Sequence, residues 1–399
     1  MPITSLPALA LAQKLHAGEL SIVQALDACY AAIEASGAQN FAALCKEHAY
    51  ARAGEIQARL DAGDIRSPLA GVPVAVQDNI CTHGIATEAG SKALAGFVPP
   101  FDAAVIEKIN AADMVLLGKT ALDEFAMGSS VNGAAAAVAA GEAPIALGSD
   151  TGGELRRSAA RCGLAALRPT YGAVSRFGLV AHASSMDQIG PIARNTADCA
   201  ALFDIIKGHD PRDSTSVETT PAPLPRGPRE ARRLCGVVCE GGWPAGQGGV
   251  KPLPFLDYAL PTFTILACAE ACSNLARYDG IKYGHASEKA RNLRETYVLS
   301  RSEGFGPQAK RRVLLGNFTL SAGNYETYYV KAMQARRLVQ QALFEALEGC
   351  DALIAPADDE ASLVMASLAG LPALALPDGR QLIGRAFEEG ALLGAGESL

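Results

Sequence analysis

Short apolar runs rich in β-branched residues alternate with helical patterns along the first part of the chain, and this alternation limits the fold most strongly. Residues 71–76 (GVPVAV) and 114–119 (MVLLGK) are typical of buried strands, and residues 105–113 (VIEKINAAD) have the spacing of a helix. Residues 133–150 predict an Ala-rich helix, a turn and a strand that leads into a Gly-rich turn, a favoured place for a ligand site. The pattern predicts an α/β protein with crossover helices.

The second half of the chain is separated from the first by an irregular segment. Residues 217–254 are dense in Pro and Gly and have little periodicity, which predicts an irregular connection. Beyond it, residues 258–280 predict a strand followed by a helix, and residues 310–347 predict two helices. At the other end of the chain, residues 4–26 predict a surface-packed helix. No run of about twenty unbroken apolar residues occurs, so we expect no membrane span.

Charge and cysteine content limit the classes of partner and compartment. The net charge is −7, which argues against electrostatic binding to nucleic acid or to an anionic membrane. The ten cysteines do not suggest a disulfide framework, and with no secretory signal they indicate a reducing compartment, by default the cytoplasm. The pairs Cys235/Cys239 and Cys268/Cys272 could together form a tetrahedral zinc site. The spacing of the first pair instead predicts one face of a strand, and that of the second pair predicts one face of a helix. We therefore expect no metal, and no cofactor, because no nucleotide-binding loop occurs.

Several long motifs then identify a family. The segments GVPVAVQDNICTHG, KTALDEFAMGSS, ALGSDTGGELRRSAARCG and FGLVAHASSMDQIGP occur in that order within residues 71–216. Together they resemble the amidase signature family, and later segments such as SAGNYETYYVKA are similar to the A subunit of the glutamyl-tRNA amidotransferase. The resemblance implies one amidase signature domain over residues 1–399, with a mixed central sheet covered by helices (α/β/α). It also implies B and C amidotransferase subunits as partners and a small amide or amino acid as ligand, with no direct contact to nucleic acid.

The family performs its chemistry with a lysine in a K-D-N motif, a middle serine in a G-G-S-S-G-G loop, and a nucleophilic serine that closes D-T-G-G-S. The lysine takes the proton of the nucleophile through the middle serine, and backbone N–H groups of the D-T-G-G turn hold the oxyanion. Here the lysine position is Gln77, which has no titratable amine, and the nucleophile position is Glu154, whose carboxylate is a poor substitute for an alkoxide. The resemblance thus implies a degenerate catalytic site.

The loop of the middle serine is shortened. Counting back from Glu154 without a gap places Ser130 at the position of the middle serine, although Ser129 and Ser130 also belong to the F-A-M-G-S-S motif upstream. The flanking glycines of the family loop are gone. Ser130 is therefore the candidate for the middle role, with little support for the backbone conformation that the family uses there.

Substrate recognition is better preserved than the triad. By resemblance, the substrate-binding residues are Met127, Gly128 and Ser129, the turn Asp150, Thr151, Gly152 and Gly153, and Arg312 of the K-R-R segment. The family's acid for the substrate amine falls in a shortened segment, where Asp358, Asp359 and Glu360 are the alternatives, and an exposed charged turn is the other interpretation.

Two side chains at the altered positions leave alternatives open. Gln77 is either a structural polar residue at a strand end or a hydrogen-bonding group for a ligand. Glu154 is either solvated, paired with Arg156, Arg157 or Arg161, or folded back into the anion-binding turn made by Gly152 and Gly153, where its carboxylate would fill the oxyanion site from within.

The sequence therefore supports a main hypothesis and a rival. The first is a catalytically impaired pseudo-amidase, related to the amidotransferase A chain, that binds a protein partner or a small amide or amino-acid ligand. The rival is a working amidase or glutamine-hydrolysing subunit of a tRNA-dependent amidotransferase, with Ser130 or another serine recruited as the nucleophile.

Overall fold

The computed structural model of the chain describes residues 2–37, 40–128, 132–218, 234–237 and 249–399. Within these ranges, no helix is long and apolar enough to cross a membrane. The α-helices are α1 (Ala8–His16), α2 (Ile22–Ser36), α3 (Lys46–Asp61), α4 (Ala104–Ala111), α5 (Gly133–Ala139), α6 (Glu154–Arg161), α7 (Thr196–Ile206), α8 (Ala259–Leu275), α9 (Leu293–Gly304), α10 (Pro307–Leu320), α11 (Lys331–Leu347), α12 (Glu360–Ala369) and α13 (Glu389–Glu397). Short 3-10 helices cover Ile3–Ser5, Lys92–Leu94, Glu124–Ala126 and Leu256–Tyr258, and a π-helix covers Tyr325–Val330.

The strands form one mixed sheet. They are β1 (Phe41–Leu44), β2 (Pro73–Gln77), β3 (Val115–Thr120), β4 (Ile145–Asp150), β5 (Ala165–Arg168), β6 (Gln188–Ala193), β7 (Leu234–Val237), β8 (Val250–Lys251), β9 (Ala352–Pro356), β10 (Ala373–Ala375) and β11 (Arg380–Ile383). Their spatial order is β1-β3-β2-β4-β6-β5-β10-β11-β9-β7-β8. The neighbours β3, β2 and β4 are parallel, whereas β4, β6, β5, β10, β11 and β9 pair antiparallel. The mixed central sheet flanked by helices confirms the predicted fold class.

The elements predicted between residues 71 and 150 are present. The strand, helix, strand series corresponds to β2, α4 and β3, and the Ala-rich helix and following strand correspond to α5 and β4. Every residue of β2, β3 and β4 is buried, which explains why these strands have continuous apolar runs rather than alternation. Because the three strands are parallel, their carboxyl ends meet at one edge of the sheet.

The N-terminal segment forms two helices rather than the single helix predicted. The first helix ends before Gly18, which has a positive φ of 70°, a conformation that favours glycine. The second begins after Ser21, whose hydroxyl accepts the N–H of Gln24 while the Gln24 side chain accepts the N–H of Ser21. This capping box is visible in the sequence as S-I-V-Q, and it sets the new helix start.

The segment after the irregular connection also differs from the prediction. The pattern of residues 258–280 predicts a strand at its start, but α8 runs from Ala259 to Leu275 as one helix. Thr262, Phe263 and Leu266 are buried on its inner face. β-Branched and aromatic residues favour strands only weakly, and burial of this face against α10, α11 and α12 overrides that preference.

The cysteines behave mostly as small buried side chains, with one exception. Cys235 in β7 forms a disulfide with Cys350, which lies just before β9, although the sequence suggests no disulfide. Cys268 is buried in α8, Cys272 is partly exposed, and Cys239 lies outside the described residues. In the ranges that the structure describes, no group of three or more His, Cys, Asp or Glu residues is placed to hold a metal ion.

Candidate functional site

The candidate site lies where β2 and β4 end and α6 begins. Val74, Ala75 and Val76 of β2 pair in parallel with Ile145, Ala146 and Leu147 of β4. This register brings Gln77 at the end of β2 beside the last residues of β4. The chain then turns through Thr151, Gly152 and Gly153 into α6. The polar ends of two parallel strands and the N-terminus of a helix therefore converge at this place.

Gln77 is buried in a polar cluster with Ser149 and Asn79. Its Oε1 accepts the backbone N–H of Ser149 at 2.7 Å and the Ser149 hydroxyl at 2.9 Å. The Ser149 Oγ in turn accepts a hydrogen bond from Asn79 Nδ2 at 2.8 Å. These contacts favour the structural alternative for Gln77, because its carbonyl oxygen is already used to hold the end of β4. An amide in this position has no proton to exchange near neutral pH.

The Glu154 carboxylate is folded back into the glycine turn. Its Oε2 accepts the backbone N–H of Thr151 at 2.9 Å and that of Gly152 at 2.8 Å. The N–H of Gly153 instead donates to Asp150 Oδ1 at 3.1 Å, and Gly153 has a positive φ of 103°. The geometry is that of the third alternative for Glu154, except that the donors are Thr151 and Gly152 rather than Gly152 and Gly153. The turn at the N-terminus of α6 thus holds an anion that the chain itself supplies.

Asp150 is the centre of a buried ion-pair cluster. Arg156 Nε donates to Asp150 Oδ2 at 3.0 Å and Arg168 Nη1 donates to Oδ1 at 2.9 Å, and all three side chains are fully buried. Burial opposes ionisation of this carboxyl, but the two guanidiniums outweigh it and lower the pKa of Asp150 to about 2. Asp150 therefore stays charged and serves to fix the turn, and Arg156 is not the partner of Glu154.

The charge on Asp150 also acts on Glu154. Burial is the larger cause, and the nearby Asp150 carboxylate the second, of a raised pKa for Glu154. The hydrogen bonds from the backbone N–H groups of Gly152 and Thr151 oppose that rise. The Glu154 carboxyl thus keeps its proton to a higher pH than the carboxyl of an exposed glutamate.

A second loop braces the turn from the other side. Thr151 Oγ1 donates to Asp187 Oδ1 at 2.7 Å, and the Asp187 carboxylate also accepts the backbone N–H groups of His182 and Ala183. His182 is 2% exposed, and neither of its ring nitrogens has a hydrogen-bond partner in the part of the chain that the structure describes. Burial, and after it the positive charge of Arg312, lowers the pKa of His182 to about 3. Sequence reasoning does not single out this histidine, and only its position in the motif FGLVAHASS could have signalled it.

A cavity of about 300 Å³ opens beside Glu154. Arg312 lies in its wall and donates from Nη2 to the Met127 carbonyl at 2.8 Å. The structure therefore brings together Met127, Gly128, Gly152, Glu154 and Arg312 of the predicted set. The lining residues are Met127, Gly128, Gly152, Glu154, Arg157, Leu260, Phe263, Thr264, Cys268, Gln308, Arg311, Arg312, Leu315, Glu360 and Val364. Gln77, Asp150, Thr151 and Gly153 do not line the cavity, and Ser129 and Ser130 lie outside the described residues.

The three candidate acids of the shortened segment separate. Asp359 accepts the N–H of Ser362 at 2.7 Å and is the N-cap of α12, whereas Asp358 does not line the cavity. Glu360 lines the cavity and pairs with Arg157, with 3.3 Å between its Oε1 and Arg157 Nη1. Arg157 is therefore engaged by Glu360 rather than by Glu154.

Comparisons with known proteins agree with one another. The Amidase family model matches residues 24–132, 127–234 and 249–367. The A subunit of the glutamyl-tRNA(Gln) amidotransferase from Desulforamulus reducens is 39% identical, with 98% of this chain and 96% of the relative covered. Its counterpart from Picosynechococcus is 41% identical, with 96% and 94% covered. Among solved structures, the A subunit from Thermotoga maritima matches with a TM-score of 0.72 at 29% identity over 99% of this chain and 94% of that one. A chain from a vestigial protein complex that reveals the evolutionary origins of an s-triazine catabolic enzyme matches with a TM-score of 0.82 at 25% identity, over 98% of this chain and 97% of that one.

Proposed function

The chain belongs to the amidase family and has the fold of the amidotransferase A chain, and from that premise we propose that it binds a small ligand and a protein partner without hydrolysing an amide. The observation that carries this proposal is the position of the Glu154 carboxylate. It takes the N–H groups of Thr151 and Gly152, which are the donors that an amidase of this family would present to a tetrahedral oxyanion. A substrate carbonyl entering the cavity meets a carboxylate where stabilising donors are needed.

The residues that would generate a nucleophile support the same proposal. Gln77 stands at the position of the family lysine and uses its carbonyl oxygen to hold Ser149, so it supplies no base. Glu154 stands at the position of the family nucleophile. Loss of one member of a cooperating catalytic unit already removes most of the rate. Two altered members leave a site that is suited to binding.

The partner part of the proposal is supported by the relatives, which are named as subunits of an amidotransferase. We propose that this chain associates with proteins of the B- and C-subunit type, in the cytoplasm, and contacts tRNA through them rather than directly. The test is co-purification of the full-length chain from its native cell. Recovery of B- and C-type subunits in a stoichiometric complex is expected, and a chain that elutes alone at every concentration would contradict this part.

A second function is favoured by a specific observation. Relatives covered over 94% or more of their length, at 39–41% identity, are amidotransferase subunits, and this similarity favours glutamine hydrolysis to glutamate and ammonia. In that case Ser130 is the candidate nucleophile, since it falls at the middle-serine position. The comparisons favour this function, whereas the residues at positions 77 and 154 favour binding.

A fluorophosphonate probe separates the two functions. The proposal predicts that intact-mass measurement finds no adduct on the wild-type chain under conditions that label a working amidase of the family run in parallel. An adduct that maps to Ser130 and disappears in Ser130→Ala would establish the hydrolytic function instead. Ser129→Ala is the matched control, because it removes the neighbouring hydroxyl.

A further inference from the structure

Arg157 stands out because it is a buried cation with unused hydrogen-bonding capacity at the wall of the cavity. Its side chain is 10% exposed and lies in α6, one turn after Glu154. Among the described residues, its buried Nε has no hydrogen-bond partner. The contact from its Nη1 goes to Glu360, whose side chain is 57% exposed and held at 3.3 Å. A guanidinium whose ion-pair partner is an exposed carboxylate can exchange that partner for the carboxylate of a ligand, because an exposed ion pair is weak.

The charges around the cavity favour an anion. Arg157 lies on the wall made by α6, and Arg311 and Arg312 lie on the wall made by α10. Two carboxylates, those of Glu154 and Glu360, line the cavity with these three cations, and that of Glu154 is directed into the glycine turn. The charged side chains that line the cavity therefore have a net positive charge. A planar guanidinium with free donors matches a carboxylate better than a neutral amide of the same size.

The volume of the cavity and its apolar lining limit the class of ligand further. A volume of about 300 Å³ is at the low end for ligand sites, so the ligand is small. Phe263, Leu315 and Val364 give the cavity an apolar side. The cavity therefore suits a short aliphatic chain that ends in a carboxylate.

We propose that Arg157 is an anion-binding residue, that the cavity takes a small aliphatic carboxylate, and that Glu360 competes with this ligand for the same guanidinium. In the free protein Glu360 occupies one edge of Arg157. When the ligand enters, its carboxylate accepts from Arg157 and Glu360 turns to solvent, where it is already more than half exposed. This inference rests on the proposed binding function, since it names the ligand class of the same cavity.

The test is a titration of the full-length protein with butyrate and with its neutral isostere butyramide, followed by ligand-observed NMR. Butyrate is expected to bind and butyramide to bind at least about tenfold more weakly. Arg157→Gln should weaken butyrate about tenfold, and Arg157→Lys should recover part of that loss because it keeps the charge but not the fork. Arg161→Gln, at an exposed arginine in the last turn of the same helix, should leave the dissociation constant unchanged.

Glu360→Gln is the decisive variant, because it lies at an exposed position and does not disturb the buried side of the site. Removing the competitor should tighten butyrate by about two- to fivefold, comparable to the strength of an exposed ion pair. Equal binding of acid and amide, an unchanged affinity in Arg157→Gln, or weaker binding in Glu360→Gln would each overturn the inference. Ammonia release from butyramide would instead overturn the proposed binding function, whether or not butyrate binds.

Discussion

Replacement of Glu154 by alanine removes the acceptor that two backbone N–H groups share. Each lost bond to a charged acceptor is worth up to ~1.5–3 kcal/mol when the donor stays dry. Gly152 and Glu154 are partly exposed, so water replaces part of that loss. The burial and the Asp150 charge that raise the pKa of Glu154 also offset part of it. We therefore expect a decrease of ~1–3 kcal/mol in the free energy of unfolding at pH 7.

The vacated donors give this prediction a second readout. In Glu154→Ala, the N–H groups of Thr151 and Gly152 at the N-terminus of α6 are open to a small external anion. Formate should therefore stabilise Glu154→Ala against urea unfolding in a saturable way, and should have no such effect on the wild type. Glu154→Gln is the matched control, because it keeps an acceptor oxygen and should need no formate. An alanine variant as stable as the wild type and insensitive to formate would refute the placement of the carboxylate.

Three further changes test other parts of the site by urea unfolding. The pKa of His182 is about 3 in the folded chain against an ordinary value of 6.5, so the unfolded chain binds more protons between these values. For each unit that the pH falls within that window, the free energy of unfolding of the wild type should decrease by ~1.4 kcal/mol more than that of His182→Phe. Parallel pH profiles of the two proteins would contradict this. Asp150→Asn leaves the charges of two buried guanidiniums uncompensated and should lower the free energy of unfolding by ~3–5 kcal/mol. A decrease as small as that of a surface substitution would contradict the buried ion-pair cluster. In Gly152→Ala the new Cβ would lie 2.4 Å from the Phe263 ring, and a loss of ~1–3 kcal/mol is expected; an unchanged stability would mean that the ring is not packed there.

The parts of the fold that the sequence predicts correctly are those where local pattern and burial agree. The strands β2, β3 and β4 are buried on both faces, and their continuous apolar runs are visible in the sequence. The prediction for the start of α8 is wrong because its β-branched and aromatic residues serve helix packing. The disulfide between Cys235 and Cys350 joins residues 115 apart, and nothing local to either cysteine indicates the other.

The sequence likewise predicts some features of the candidate site and not others. The prediction that Gln77 and Glu154 replace the family's lysine and serine rests on the resemblance of the motifs, and it could be made from the sequence because it needs only residue identity. The partners of the charged residues could not be read from spacing. Arg156 points into the core towards Asp150, whereas Arg157, the next residue, points towards Glu360. Adjacent residues on a helix face different neighbours, and the identity of those neighbours depends on how α6 packs against β4 and lies beside α12.

The claim that this site binds without hydrolysing is tested most directly by the release of ammonia from glutamine. The assay uses the full-length chain together with any B- and C-type subunits that co-purify with it. Ammonia production at the rate of the protein-free blank is the predicted result, because neither Gln77 nor Glu154 supplies the base or the nucleophile. Ammonia released in proportion to the protein, and abolished by Ser130→Ala, would contradict the account.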